Sequence, residues 1–421
     1  DWAARYPARA SMPPQQQALG AASLSACGST TLALEWANAA AAVAPRDAIC
    51  RVNQALIMNY AGAFADAERV LETLIDQGED ASLAHWLLAR LRRQTPDRNH
   101  VERLRERLQR ANLHPKDRID LAFALFKELD DLDDTTSAWQ ALQNGCELMR
   151  VLNPYRPEAV ESLFAETRRT FDRDSASIAS PQADNPVPIF IVGMHRSGTT
   201  LVERVIGEHE GVHCFGETRR LTAALCFGSN RACSGLLDHG LIESAAALDA
   251  DLAAAHFFAL ARRQAGNARF VTEKTPGNFQ LLGFIRRLFP NAKVVHCRRD
   301  PMDLCFANLH ELFADSVNHS YALPDISHHH AHYRSLMTHW HDLFPGFILD
   351  VDYEDLVTDP AAQVRRIRDF CGLPQSVQTG PSFVNTLSSM QSRQPIHTRS
   401  IGKWRRYAAE LAPLKQMLAA T

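Results

Sequence analysis

The stretch Gly193-Met194-His195-Arg196-Ser197-Gly198-Thr199-Thr200 constrains this chain more than any other. It follows an apolar, β-branched run at 187–193, which reads as a strand buried on both faces. It precedes a stretch at 201–209 with helical spacing. A glycine-bearing turn between a buried strand and a helix aims successive backbone N–H groups and the helix N-terminus at one spot. That is an anion site. Gly193 and Gly198 permit the tight turn and a close ligand approach. Arg196 adds charge, and Ser197, Thr199 and Thr200 add hydroxyl donors. A plain connecting turn is the alternative, and the convergence of these groups at a helix start argues against it.

Short apolar runs at 270–272, 293–298 and 347–351 read as further buried strands. Helical spacing recurs at 251–265, 278–289, 302–314, 329–343, 360–371 and 404–418. Strands alternating with helices predict an α/β domain with a parallel sheet. Upstream of about residue 180 the composition shifts to Ala, Leu, Glu and Arg with helical periodicity. Between Gln54 and Ile75, Ala55, Met58, Tyr60, Phe64, Ala67, Val70, Leu71 and Leu74 recur at spacings of three and four, with Gly62 at a turn. This helix–turn–helix resembles a tetratricopeptide repeat, in which small residues let paired helices approach and an aromatic fills the gap. A plain helical domain is the other reading. Further helices are expected at 82–94, 99–111, 117–128 and 135–150. Residues 173–188, with Pro181, Pro186 and Pro188, have linker composition. The expected division is a helical domain at 1–175 and an α/β domain at 176–421.

The charge balance narrows the partners. Against 45 basic residues stand 48 acidic ones, a net charge of −3, so no global positive field serves a nucleic-acid backbone. Anion binding must be local. The nine cysteines are scattered without a Cys-x-x-Cys pair, against a disulfide framework or a cysteine zinc site. A reduced, cytoplasmic setting is expected. There is no membrane-length apolar stretch, and the opening Asp-Trp-Ala-Ala-Arg-Tyr-Pro does not read as a secretory signal.

The loop spacing mimics the nucleotide phosphate loop Gly-x-x-x-x-Gly-Lys-Ser/Thr, but Thr199 stands where the lysine belongs. The strand at 293–298 ends in Arg298-Arg299-Asp300 and offers no clear magnesium-binding Asp. Phosphoryl transfer needs lysine and Mg²⁺ against a highly charged γ-phosphate. A sulfuryl group is a neutral SO₃-like fragment in transit and needs less positive charge. The missing lysine therefore favours sulfuryl transfer.

With its preceding strand, Pro188-Ile-Phe-Ile-Val-Gly-Met-His-Arg-Ser-Gly-Thr-Thr-Leu resembles the 5′-phosphosulfate loop of sulfotransferases that use 3′-phosphoadenosine 5′-phosphosulfate (PAPS). More narrowly, the chain resembles bacterial sulfotransferases with N-terminal tetratricopeptide repeats, whose transferase domain is similar to protein-tyrosine sulfotransferases. His195 stands where that family usually has Pro. The resemblance covers 187–418. It continues more weakly through Phe123-Ala-Leu, Ala138 and Asn144-Gly145 to Arg150, which resemble a last helical repeat.

The resemblance implies a P-loop-type sulfotransferase fold and a set of site residues. Arg196, Ser197, Gly198, Thr199 and Thr200 would hold the 5′ end of PAPS, and Arg299 the 3′-phosphate. The family serine eight residues after that arginine is Ala307 here, with Asn308 next to it. Losing a hydrogen bond to a charged group costs on the order of 1.5–3 kcal/mol. Ser400-Ile401-Gly402-Lys403-Trp404 and Tyr407 resemble the donor-closing segment, with Lys403 on a phosphate. Cys214-Phe215-Gly216-Glu217-Thr218-Arg219 resembles the Gly-Glu-Thr segment whose glutamate is the general base; a helix N-terminal carboxylate is the bland reading of Glu217. Arg219 would orient the base or an acidic acceptor. Lys274 in Thr272-Glu273-Lys274-Thr275-Pro276 matches the lysine at the bridging oxygen, where leaving-group charge develops. Ser388, 15 residues before Lys403, matches the hydroxyl partner of the leaving group, with Ser389 next in register.

His213 and His296 are the candidates should the base be a histidine. His328-His329-His330 with His332 has no matched carboxylate or cysteine pattern and reads as a solvated helix face, or as part of an acceptor-side rim. No metal is expected. The acceptor is a hydroxyl on a peptide, a glycan or a small molecule, and the product is 3′-phosphoadenosine 5′-phosphate. The helical domain is expected to offer a concave face to the acceptor or to a protein partner. Competing readings are a P-loop kinase and a non-catalytic repeat scaffold with a degenerate transferase domain.

Overall fold

The computed structural model describes residues 11–26, 29–78, 81–172, 185–313, 317–376 and 396–420. They fall into two compact units.

The first unit runs to Pro154 and includes Leu309–Ala322. Its helices are α1 (Pro14–Ala26), α2 (Thr30–Val43), α3 (Ala48–Ala61), α4 (Phe64–Asp76), α5 (Ser82–Arg90), α6 (Val101–Leu108), α7 (Pro115–Asp131) and α8 (Thr135–Leu152). Local chemistry sets their ends. The Asp47 carboxylate accepts from Cys50 N and starts α3, and the chain turns at Gly62 into α4, as the spacing over 54–75 predicts. Pro115 occupies the first turn of α7, where its missing N–H costs nothing. Successive helices pack on one another: α1 on α2, α2 on α3, α3 on α4, α7 on α8. Small residues allow the approach. Ala33, Ala37, Ala40 and Ala41 are the buried side of α2 beside Trp36. On α8, a Cβ added to Gly145 would lie 2.9 Å from the Phe123 ring of α7. Phe123 in turn meets Tyr321 edge to face, with ring centroids 6.2 Å apart.

The second unit carries a five-stranded parallel sheet in the order β2-β3-β1-β4-β5. The strands are β1 (Val187–Val192), β2 (Val212–Cys214), β3 (Phe270–Glu273), β4 (Lys293–Arg298) and β5 (Ile348–Asp352). Register pairs Phe190 with Glu273, Val192 with His296, and Arg298 with Asp352. Alternate side chains of β1 enter two cores. Phe190 and Val192 join Phe257, Phe284 and Trp340 on one face, and Ile189 and Ile191 join Val202, Ile206, Val295 and Leu356 on the other. Both faces being covered explains the continuous apolar run.

Its helices are α9 (Pro157–Thr170), α10 (Thr199–Gly207), α11 (Arg220–Ser229), α12 (His239–Glu243), α13 (Ala250–Ala265), α14 (Leu282–Leu288), α15 (Pro301–Leu309), α16 (Leu323–Leu343), α17 (Tyr353–Thr358) and α18 (Pro360–Cys371), before a last helix at Ala412–Ala419. Residues 155–172 precede the composition shift yet pack in this unit. Phe164 and Phe171 are 1% and 2% exposed, and Phe171 meets Phe284 at 4.8 Å. Two expected helices are broken. The stretch at 278–289 divides into a 3₁₀ turn, Pro276–Leu281, and α14; that at 404–418 divides into a 3₁₀ turn, Lys403–Tyr407, and the last helix, whose first turn holds Pro413. No single helix among the described residues is long and apolar enough to cross a membrane.

Gly145→Val should lower the unfolding free energy by about 1–3 kcal/mol, the usual cost of forcing extra volume into a packed contact. Urea titration of the purified chain measures it. Unchanged stability would mean that the Phe123 ring gives way freely.

Candidate active site

The C-terminal ends of β1, β2, β3 and β4 lie along one edge of the sheet, and each delivers part of the site. In open parallel sheets this edge, at the strand where chain order reverses, is where ligands bind. Here β1 is that strand, flanked by β3 and β4.

The loop after β1 is tightly held. Gly193 has φ 152°, and a Cβ there would lie 2.6 Å from the Cys297 carbonyl oxygen and 2.7 Å from Ser197 Oγ. Gly198, with φ 103°, caps α10, and a Cβ would lie 2.7 Å from the Tyr353 ring. Between them Arg196 also has positive φ, 67°. Ser197 is fully buried, and its Oγ has no hydrogen-bond partner among the described residues. Thr199 is buried and Thr200 half-buried at the start of α10. A buried, unsatisfied hydroxyl at a helix start fits a site shaped for an anion's oxygens.

Arg299, just past β4, clamps the loop. Its Nη1 donates to the Arg196 carbonyl at 2.9 Å and its Nη2 to the Ser400 carbonyl at 2.7 Å. The guanidinium lies 4.8 Å from the Tyr353 ring centre, and its Nε is buried without a partner. Arg298 beside it instead pairs with Asp352 at 2.7 Å and with Asp350 at 3.2 Å. The Asp303 carboxylate on α15 accepts from Gly402 N at 2.5 Å and Trp404 N at 3.3 Å. Those bonds fix the backbone on either side of Lys403. Asn308 is fully buried and donates to the carbonyls of His195, at 2.7 Å, and Leu304, at 2.8 Å. Its amide N–H groups are therefore spent on backbone, and Ala307 brings no hydroxyl in their place.

Past β3, Lys274 is 0% exposed and donates to Glu217 Oε1 at 2.6 Å, while Glu217 is 43% exposed. One end of the pair is thus in the protein and the other faces solvent. Backbone bonds hold it: Lys274 N donates to Gly216 O at 3.0 Å, and Thr275 Oγ1 to Thr218 O at 2.9 Å. The loop is electrostatically adjacent. Burial holds His195 below the ordinary imidazole range; Glu217 opposes that shift, and Lys274 and Arg196 add to it.

Two buried carboxylates that the sequence did not single out support the pair. Glu203 on α10 accepts from Gly216 N at 3.0 Å and from Thr272 Oγ1 at 2.6 Å. Burial raises its pKa, against the pull of the Lys274 ammonium and these hydrogen bonds. Glu273, 1% exposed, accepts from Thr218 Oγ1 at 2.7 and 2.8 Å and lies 3.6 Å from Arg220. Burial lifts it to about 7, with Arg220 and Thr218 opposing. Arg220 itself lies over the Phe215 ring at 3.6 Å and donates to Gln264 at 2.9 Å.

The other expected residues fall out differently. The Arg219 side chain is exposed and makes no hydrogen bond or ion pair among the described residues, while its carbonyl accepts from Ala223 N at 2.9 Å. Ser388 and Ser389 lie outside the described residues. His213 is half-buried against Phe215. His296 is buried, held by Asp350 at 2.7 Å on one nitrogen and by the Tyr333 hydroxyl on the other. Both of its ring nitrogens are thus engaged. The histidine run is not a solvated face: His329 and His330 are 8% and 3% exposed, and only His328 and His332, one turn apart, turn outward.

Glu273 gives a test by pH. A carboxyl raised by folding binds its proton in the native state at pH values where the unfolded chain has lost it. Stability then falls as pH rises from the ordinary glutamate range through about 7. Glu273→Gln should flatten the fall in melting temperature between about pH 5 and about pH 8. An unaltered slope would show that Glu273 is ionised in the native protein.

Comparison with known proteins adds the family. Residues 188–377 match the Sulfotransferase family. An uncharacterised protein of Aquifex aeolicus (strain VF5) is 30% identical over 322 residues, which are 72% of this chain and 41% of that protein. Protein-tyrosine sulfotransferase 2 of Gallus gallus is 29% identical over 202 residues, 45% of this chain and 52% of that one. The chain thus spans about half or less of either relative. Among solved structures, the sulfotransferase domain from the Synechococcus PCC 7002 olefin synthase has 21% identity and a TM-score of 0.38, covering 58% of this chain and 98% of that domain. The β1 loop, the Glu217–Lys274 pair and Arg299 all lie inside the matched stretch, and residues 188–377 are a sulfotransferase family domain.

Proposed function

We propose that this chain transfers a sulfuryl group from PAPS to an acceptor hydroxyl, with peptide tyrosine the first acceptor to test. The observation that carries this reading is the Lys274–Glu217 pair, 2.6 Å apart and half open to solvent, beside an anion loop that lacks the phosphate-loop lysine. Similarity to protein-tyrosine sulfotransferases supports the acceptor class.

The roles follow from the chemistry of each group. The loop N–H groups, Arg196 and the hydroxyls of Ser197, Thr199 and Thr200 hold the donor's 5′ phosphosulfate. Arg299 and Lys403 hold its 3′-phosphate; the unpartnered Nε of Arg299 fits that task. Glu217 accepts the acceptor proton as the acceptor oxygen bonds to sulfur. Lys274 neutralises the bridging oxygen as its bond to sulfur breaks. Of the three donors on that ammonium, the bond to Glu217 uses one. Ser388 assists the leaving oxygen by resemblance alone. Arg219, exposed two residues from Glu217, suits an acidic acceptor. Positive charge comes from Lys274, Arg196 and Arg299, so the reaction calls for no metal.

Calorimetry with 3′-phosphoadenosine 5′-phosphate, ADP and ATP, each with and without Mg²⁺, tests the reading. Metal-independent preference for the 3′-phosphorylated nucleotide is expected; preference for ATP with Mg²⁺ would turn it towards a kinase, and no binding towards a scaffold. Glu217→Gln should cut the turnover number by about 10²–10⁴ with nucleotide affinity unchanged. Ala307→Ser should tighten 3′-phosphoadenosine 5′-phosphate by about tenfold, one charge-assisted hydrogen bond.

A further inference from the structure

Two clusters outside the transfer site bring histidine and carboxylate ligand atoms within 4.8 Å of one another: His296 with His341 and Asp350, and Glu161 with His328 and His332. The first is already satisfied. Both nitrogens of His296 are bonded, and Asp350 takes Arg298 at 3.2 Å as well as His341 at 3.0 Å. A cation there would have to displace an arginine.

The second cluster is arranged otherwise. His328 and His332 are an i, i+4 pair on α16, so their rings share one side of the helix, with centroids 4.4 Å apart. Glu161 comes from α9, which packs on α16. Its Oε1 lies 2.9 Å from His328 Nε2 and 4.0 Å from His332 Nε2. The Tyr155 hydroxyl meets His328 Nδ1 at 2.9 Å. In the metal-free structure His328 Nε2 donates to Glu161; a cation would take the place of that proton, with Nδ1–H then donating to the Tyr155 hydroxyl, the usual outer support of a metal-bound imidazole. Solvent can enter, since the side chains of His328, His332 and Glu161 are 24%, 25% and 54% exposed. Bonds of about 2.0–2.2 Å in a tetrahedron separate ligand atoms by roughly 3.3 Å. The two distances found bracket that value, and no cationic side chain pairs with Glu161 among the described residues.

We propose that Glu161, His328 and His332 bind one divalent transition cation of zinc's class, with Tyr155 orienting His328 and a fourth position left to water. Nitrogen and carboxylate donors suit a borderline cation better than Mg²⁺ or Ca²⁺. The ion would tie α9 to α16. It has no part in sulfuryl transfer, and the inference stands apart from the function proposed above.

The test uses the full chain, stripped with chelator. Zn²⁺ is titrated by calorimetry, and Co²⁺ is followed by its visible absorption. One equivalent should bind, raise the melting temperature and give the intense band of a tetrahedral site. His332→Ala and Glu161→Gln should each lose at least tenfold in affinity, and Tyr155→Phe about tenfold. His341→Ala should bind as the parent does. Glu161→Gln keeps the hydrogen-bonding shape, so its loss of metal would not reflect misfolding; the metal-free melting temperatures check this. Absence of stoichiometric binding overturns the proposal. So does binding that survives both Glu161→Gln and His332→Ala, or that disappears in His341→Ala.

Discussion

A lysine ammonium with no access to water is the demand around which the candidate site is organised. An unpaired charge at that depth is costly enough to change protonation or structure. Lys274 has its counter-charge in Glu217, in direct contact, and its charge in turn acts on Glu203. Meeting that demand brings other burials with it. Glu203 also has to hold the Gly216 turn and Thr272, and Glu273, next in the chain, holds Thr218. The turn after β2 and the end of β3 are thereby fixed to α10, the helix that begins at the anion loop. Removing one of these carboxylates would loosen the loop, Glu217 and Lys274 together.

How much of this was legible in the sequence varies with the range of the interaction. The β1 loop was readable because strand, glycine turn and helix are consecutive. β4 was readable as a short continuous apolar run, and α18 because its pattern is long enough to show a period. The three-residue strand β2 was not, since no periodicity fits within Val212–Cys214. Glu217 and Lys274 stood out only by resemblance, because an isolated glutamate and lysine carry no local pattern. Glu203 and Glu273 resemble any surface carboxylate until the fold buries them. The histidines of α16 were misread for a related reason: their carboxylate, Glu161, lies 167 residues away from His328.

The sheet edge that carries the anion loop depends on backbone acceptors as much as on charge. Arg299 holds two carbonyls from distant segments, and Asp303 holds two N–H groups of the second segment. The loop and the Ser400–Trp404 stretch are thus tied to the same helix–strand junction. Asn308 adds a third tie, to His195. Ala307 leaves that scaffold intact while withholding a hydroxyl from its surface.

Arg196 shows what such a loop asks of the chain. A non-glycine residue at φ 67° costs roughly 1–2 kcal/mol against its relaxed alternatives. Glycine at 196 would remove that strain and leave the carbonyl on Arg299 in place. Folding stability alone therefore favours glycine over arginine at this position. An arginine in an unfavourable dihedral gives up stability to place a cation on the loop, and a stabilising redesign of position 196 would remove that cation.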